Sequence, residues 1–185
     1  MLVNHEGEIV QGDRSVNIAA FTIHSRLHMA RPDVNAAAHS HSMYGKTFST
    51  LGKFLDPISQ DSCAFYERQA IYDDFSGVSE DTSEGERIAN ALGDKQVLIM
   101  QNHGILSTGS SIDIALWYFL SLERCCQSQL MAEAAGKPTS ISLKPISTNV
   151  LNIRCFLGPS MGSTSAWLPS RKSTLHQIGA LLIVI

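Results

Sequence analysis

No apolar run in this 185-residue chain approaches the roughly 20 residues that a membrane-crossing helix needs. The most apolar stretch, Ile178 to Ile185, is far shorter, so no membrane span is expected. Basic clusters are missing as well. The 14 lysines and arginines are scattered, the longest basic run is Arg171-Lys172, and the net charge is −3. A surface for RNA or DNA gathers Lys and Arg on one face, so no nucleic-acid partner is expected. The opening residues have no basic segment followed by an apolar one, so no secretory leader is expected. The cysteines offer no C-x-x-C. Cys63, Cys125, Cys126 and Cys155 are read as reduced thiols of a cytoplasmic protein, because neighbours such as Cys125 and Cys126 point about 100° apart on a helix.

What is present suits one folded domain with a proper core: 44% of the residues are apolar and 17% charged. Leu2-Val3 and Ile9-Val10, separated by Asn4-His5-Glu6-Gly7, predict a β-hairpin with glycine in its turn. Val16, Ala20, Ile23, Leu27 and Ala30 recur at three and four, predicting a helix that Pro32 ends. Val34 to His41 reads as a strand, and Met43 to Leu51 as a short helix closed by Gly52. A further strand is expected at Ala70 to Asp73, within loop-rich sequence. Ser83-Glu84-Gly85-Glu86 has the form of a capping box for a helix reaching Leu92. Gln96 to Gln101 is a buried strand broken by Asn102-His103-Gly104, and Ile105-Leu106 resume it. Ser110 or Ser111 caps a long helix to Ala135, stopped by Gly136 and Pro138. Alternating strands and helices imply an α/β domain with helices covering a sheet.

Beyond Pro138 the character changes. From Gly136 to Ile185 there is no Asp or Glu, while Ser, Thr, Gly and Pro are frequent. Residues 1–138 are therefore read as the folded domain, incomplete at its start because nothing precedes the first hairpin to cover the sheet. Residues 139–185 are read as a divergent, poorly ordered tail, out of frame or intronic in origin.

Three histidines carry the chemistry. His39 and His41 lie two apart on a predicted strand, so both rings project from one face and form a two-point clamp for a metal. His103 falls in a glycine-containing turn at the end of the next buried strand, where α/β sheets place their sites. Three imidazoles suit Zn²⁺ with one position open for water or substrate; a closed structural site needs a fourth ligand, and none is evident. The same spacing also arises by chance. His5, His24, His28 and His176 are read as ordinary residues, with His24 and His28 on a solvated helix face.

Arg31-Pro32-Asp33 followed by His39-Ser40-His41-Ser42, and later Gln101-Asn102-His103-Gly104, resembles the class II aldolase/adducin family from about Leu2 to Ala135. The resemblance implies a three-layer α/β/α fold around a mixed, largely antiparallel sheet. It implies a zinc held by His39, His41 and His103, a tetramer or other homo-oligomer with its site near a subunit interface, and Lewis-acid lyase chemistry on small hydroxy-carbonyl or sugar-phosphate-like substrates.

Three departures bear on that activity. The aldolases carry an acid/base glutamate where this chain has Ala20, and such a group contributes about 10² to 10⁴ in rate. The family's phosphate-binding glycine loops lie upstream of Met1. All four tyrosines (Tyr44, Tyr66, Tyr72 and Tyr118) precede the C-terminal region from which family enzymes use one. Asp61 and Glu67 are the candidate replacement acids, ahead of Asp73 and Asp74, while Glu123 is read as half of a surface pair with Arg124 or Gln127. A non-catalytic, adducin-like module binding actin or the cytoskeleton is the second reading. An inert truncated product is the third.

Overall fold

The computed structural model of the chain describes residues 2–74, 82–140 and 181–183, the last as backbone. Leu2–Val3 (β1) and Ile9–Gln11 (β2) pair antiparallel as a separate hairpin, with Gly7 in the turn at φ 90°. Ile18–Ala30 (α1) follows. It starts two residues later than the apolar stripe suggests because Asn17 is its N-cap, accepting the Ala20 N–H at 3.1 Å.

The main sheet is formed by Ala36–Ser40 (β3), Gln69–Tyr72 (β4), Val97–Met100 (β5), Gly104–Gly109 (β6) and Leu181–Ile183 (β7), in the order β4-β5-β6-β3-β7. β4 and β5 are parallel, and the other neighbours pair antiparallel. The sheet is thus mixed and largely antiparallel. The remaining elements are Met43–Ser49 (α2), Thr82–Leu92 (α3), Ile112–Ala135 (α4) and a 3-10 turn at Ser62–Phe65.

Side-chain alternation along β5 explains the layering. Val97 and Ile99 point to one side, into a cluster with Phe48 of α2 and Tyr118, Phe119 and Leu122 of α4. Leu98 and Met100 point to the other, among Ile23 and Leu27 of α1 and Ile88 and Leu92 of α3. All four β5 side chains are fully buried, because helices cover both faces. That is why this strand reads as an unbroken apolar run. Truncating one of them, such as Ile99→Ala, costs about 2–5 kcal/mol. The result is the three-layer α/β/α architecture. α1 and α3 cross so closely that a Cβ on Gly85 would lie 2.2 Å from the Thr22 carbonyl oxygen.

Two local expectations change. Ser83 lies inside the first turn of α3 and its Oγ accepts from the Arg87 guanidinium at 3.1 Å, so it does not start the helix. β4 sits one residue earlier than expected, at Gln69–Tyr72, because Gln69 pairs with Val97 in the ladder. Of the expected tail, residues 141–180 and 184–185 lie outside the described residues, while 181–183 pair with β3. No helix among the described residues is long and apolar enough to cross a membrane.

Candidate metal centre

Arg31-Pro32-Asp33 joins α1 to β3 and acts at the far end of the sheet from the histidines. Arg31 Nε and Nη2 each donate to Asp33 at 2.7 Å, and Nη1 donates to the carbonyls of Gly93 at 2.6 Å and Lys95 at 3.2 Å. The motif thereby pins the loop after α3 to the entry of β3. The Asp33 partner raises the proton affinity of the guanidinium further, and Arg31 in turn holds the Asp33 carboxyl below the usual range.

β3 then carries its residues alternately to the two faces. Ala38 enters the α4 side and Ala37 the α1/α3 side, so His39 projects toward α1. Ser40 ends the strand and His41 stands just beyond it. In the ladder Ser40 faces Ile105, Ile99 faces Ile105, and Met100 faces Gly104. The turn from β5 to β6 therefore emerges beside His41. His103 N–H bonds to the Met100 carbonyl at 3.0 Å, and Asn102 takes a left-handed conformation at φ 60° that asparagine tolerates. Gly104 is required by close approach, since a Cβ there would lie 2.6 Å from the Ser40 carbonyl oxygen.

These three elements bring His39, His41 and His103 together. One ligand nitrogen from each lies within 4.8 Å of the others. The ring centroids are 5.3, 4.9 and 4.6 Å apart, and the rings meet edge to face at 71°, 82° and 69°. His39 Nδ1 is 3.0 Å from the Ile105 carbonyl, which can only accept, so Nδ1 carries the proton and Nε2 keeps its lone pair. Burial, with His103 adding to it, lowers the His39 pKa to about 3; burial and then His41 lower His103 to about 4. Both imidazoles are neutral at pH 7, the form that ligates metals. Nitrogens around one zinc at about 2.0–2.1 Å would sit about 3.4 Å apart, a spacing within the 4.8 Å that bounds these three.

The other candidates lie elsewhere. Asp61 is exposed and precedes the 3-10 turn; the Cys125 thiol on α4 is pushed up by burial first and by Asp61 second. Glu67 is exposed in a left-handed conformation just before β4, at the sheet end opposite His103. Neither belongs to the group that could hold a metal. Asp73 and Asp74 follow β4 at the histidine end, where Asp74 pairs with Arg87 at 2.8 Å. Ala20 lies one helical turn before His24 on α1, and His24 is near enough to His39 to depress its proton affinity. The methyl side chain of Ala20 offers no proton at that place.

Three residues behave differently from their sequence reading. His24 is not on a solvated face: it is 1% exposed, its Nδ1 has no hydrogen-bond partner among the described residues, and burial, then His28, lower its pKa to about 4. Its position four after Ala20 and three before Leu27, on the edge of the apolar stripe, was the signal. His28 is half-buried and lies 3.0 Å from the Val34 carbonyl through Nδ1. Glu123 makes no surface pair with Arg124 or Gln127. Its carboxylate instead accepts bonds from Ser42, Tyr44 and Gly45. Nothing in the periodicity of α4 announces a partner 81 residues away in sequence.

Comparison with known proteins follows the same lines. A family model described as Class II Aldolase and Adducin N-terminal domain matches residues 1–130. Decarboxylase NovR of Streptomyces niveus is 46% identical over 134 residues, covering 72% of this chain and 50% of the relative. A 4-hydroxy-3-prenylphenylpyruvate oxygenase/4-hydroxy-3-prenylbenzoate synthase of Streptomyces roseochromogenus subsp. oscitans is 38% identical over 172 residues, covering 91% of this chain and 59% of the relative. The chain thus spans 50% to 59% of the length of these relatives. Among solved structures, an L-fuculose 1-phosphate aldolase from Glaciozyma antarctica PI12 superposes with a TM-score of 0.71 at 44% identity, covering 80% of this chain and 57% of that one.

Proposed function

The chain belongs to the class II aldolase and adducin family, and from that premise we propose that it is a zinc-dependent lyase acting on a small hydroxy-carbonyl or sugar-phosphate-like substrate. The convergence of His39, His41 and His103, with ligand nitrogens within 4.8 Å of one another, carries this reading. Zn²⁺ is the ion proposed because three imidazoles leave its fourth position open. Aldol cleavage and decarboxylation both break a C–C bond beside a carbonyl, and a bound Zn²⁺ supplies Lewis-acid stabilisation for the charge that develops there.

This chain's own residues hold and orient. His39 is aimed by the Ile105 carbonyl, and His103 is placed by the turn at Asn102. With Ala20 in place of a glutamate, α1 moves no proton at that position. That favours decarboxylation, the chemistry named in NovR, over aldol cleavage. A homo-oligomer, a tetramer by family resemblance, is proposed as the working form, and the exposed Met43, Tyr44, Leu51 and Phe54 on and after α2 are its expected contact. The buried free thiols Cys63, Cys125 and Cys126 suit a reducing compartment, the cytoplasm.

The second reading is an adducin-like interaction module without catalysis, binding actin or cytoskeletal partners. Ala20 favours it and the three histidines weigh against it. Plasma mass spectrometry on purified chain, beside His39→Ala and His103→Ala, separates the two. About one zinc per chain, lost in both variants, supports the lyase. A folded protein without metal leaves the interaction module.

A further inference from the structure

We propose that Glu123, on α4, is a positioning residue of the histidine centre, holding in place the turn that carries His41. The inference rests on the metal reading above and concerns how the site is built.

His41 is the exposed member of the three and lies beyond the last residue of β3, where no ladder pairing fixes it. The next residue, Ser42, occupies the N-cap of α2 with extended backbone, φ −60° and ψ 151°, yet its side chain makes no capping bond to that helix. Its hydroxyl donates instead to Glu123 Oε2 at 2.5 Å. Tyr44 N–H donates to Oε1 at 3.0 Å and Gly45 N–H to Oε2 at 2.6 Å. Both carboxylate oxygens are engaged, and an acid from a different helix does the work of the missing cap.

The packing around this contact leaves no slack. A Cβ on Gly45 would lie 2.9 Å from Glu123 Oε2 and 2.8 Å from Ile105 Cδ1. Ile105 is also the residue whose carbonyl faces His39 Nδ1. Glu123, Gly45 and Ile105 therefore form one packed unit that joins the backbone of His41 to the group orienting His39. Glu123 acts through these neighbours, without touching the metal position.

An ordinary helix cap would affect stability alone, whereas a positioning residue sets metal affinity through His41. Zinc affinity is measured on the full chain by competition with a chromophoric chelator, for wild type, E123Q, H41A, the E123Q/H41A double variant and Q129A. Gln129 is the control: it is a buried residue of the same helix, bonded to the Asp56 N–H at 2.8 Å. E123Q keeps one accepting oxygen and sets an amide N–H₂ against either the Tyr44 N–H or the Ser42 and Gly45 donors, and is expected to weaken zinc binding about 10- to 100-fold. In the H41A background the same change is expected to add nothing.

Affinity in E123Q equal to wild type, losses that multiply in the double variant, or an equal loss in Q129A would each overturn the inference while leaving the zinc reading intact. If E123Q does not fold, S42A removes one of the three bonds and is expected to weaken binding about 3- to 10-fold; unchanged affinity there overturns it equally. A wild-type chain that takes up no zinc overturns both readings together.

Discussion

At one end of the sheet Arg31 makes four hydrogen bonds, two to Asp33 and two to the carbonyls of Gly93 and Lys95. At the other, His39, His41 and His103 each bring one ligand nitrogen within 4.8 Å of the others. Both sets of residues lie in or beside the same strand, β3, and both lie within the stretch that resembles the family. The first end is polar chemistry completed within the chain, which closes a joint. The second is polar chemistry left open, with two imidazoles held neutral at pKa values of about 3 and 4 by their surroundings. Completion within the fold marks structure, and convergent lone pairs mark a site.

Substitutions at the two ends test that contrast. The largest effect is expected from Gly104→Val, which drives a side chain into the Ser40 carbonyl 2.6 Å from where its Cβ would sit. Chemical denaturation is expected to show a loss of about 3 kcal/mol, with zinc uptake lost as well; retained uptake at full occupancy contradicts the placement of His103 against β3. Arg31→Ala comes next. It removes charged hydrogen bonds from a side chain only 16% exposed, and a stability loss of about 1.5–3 kcal/mol is expected with zinc stoichiometry unchanged. Metal loss at equal stability would show that the two ends are not independent.

The pH dependence is a smaller effect. His24, His39 and His103 have folded pKa values of about 4, 3 and 4 against 6.5 for an ordinary histidine. Below pH 6.5 the unfolded chain binds more protons than the folded one, so the metal-free protein loses stability on acidification down to about pH 3. Each histidine contributes at most about 1.4 kcal/mol per pH unit. His24→Leu is therefore expected to flatten the plot of urea midpoint against pH between 6 and 4, and an unchanged slope refutes the buried placement of His24. The smallest effects belong to Asp61→Asn and Glu67→Gln. Both residues are exposed and outside the histidine group, so turnover within about two-fold of wild type is expected, the scale of ordinary surface changes. A hundred-fold loss in either would make it the missing proton-transfer group.

Much of the architecture was legible from local pattern. The apolar run at Val97–Met100, the stop at Pro32 and the serine before α4 each mark an element through short-range chemistry, and all three elements form within a residue or two of expectation. The two histidine motifs were legible for the same reason, since H-x-H on a strand and His in a strand-ending turn are local geometries. Less legible was whatever depends on a second element. His24 reads as solvated until α3 and the sheet close over α1, and Glu123 reads as a surface acid until α2 presents Ser42, Tyr44 and Gly45 to it.

Sequence alone determined the periods of the helices and strands, the three histidines of the candidate site and the absence of a carboxylate at Ala20, because each is a property of one residue or one turn of chain. Only the tertiary structure decided that the three imidazoles meet, that two of them stay neutral at the proton affinities their burial imposes, and that an acid on α4 bonds the turn just after the third. Those outcomes depend on β3 and β6 pairing in one register and on helices packing over both faces of the sheet. Such long-range closeness is set by the packing of the whole domain and leaves no periodic trace along the chain.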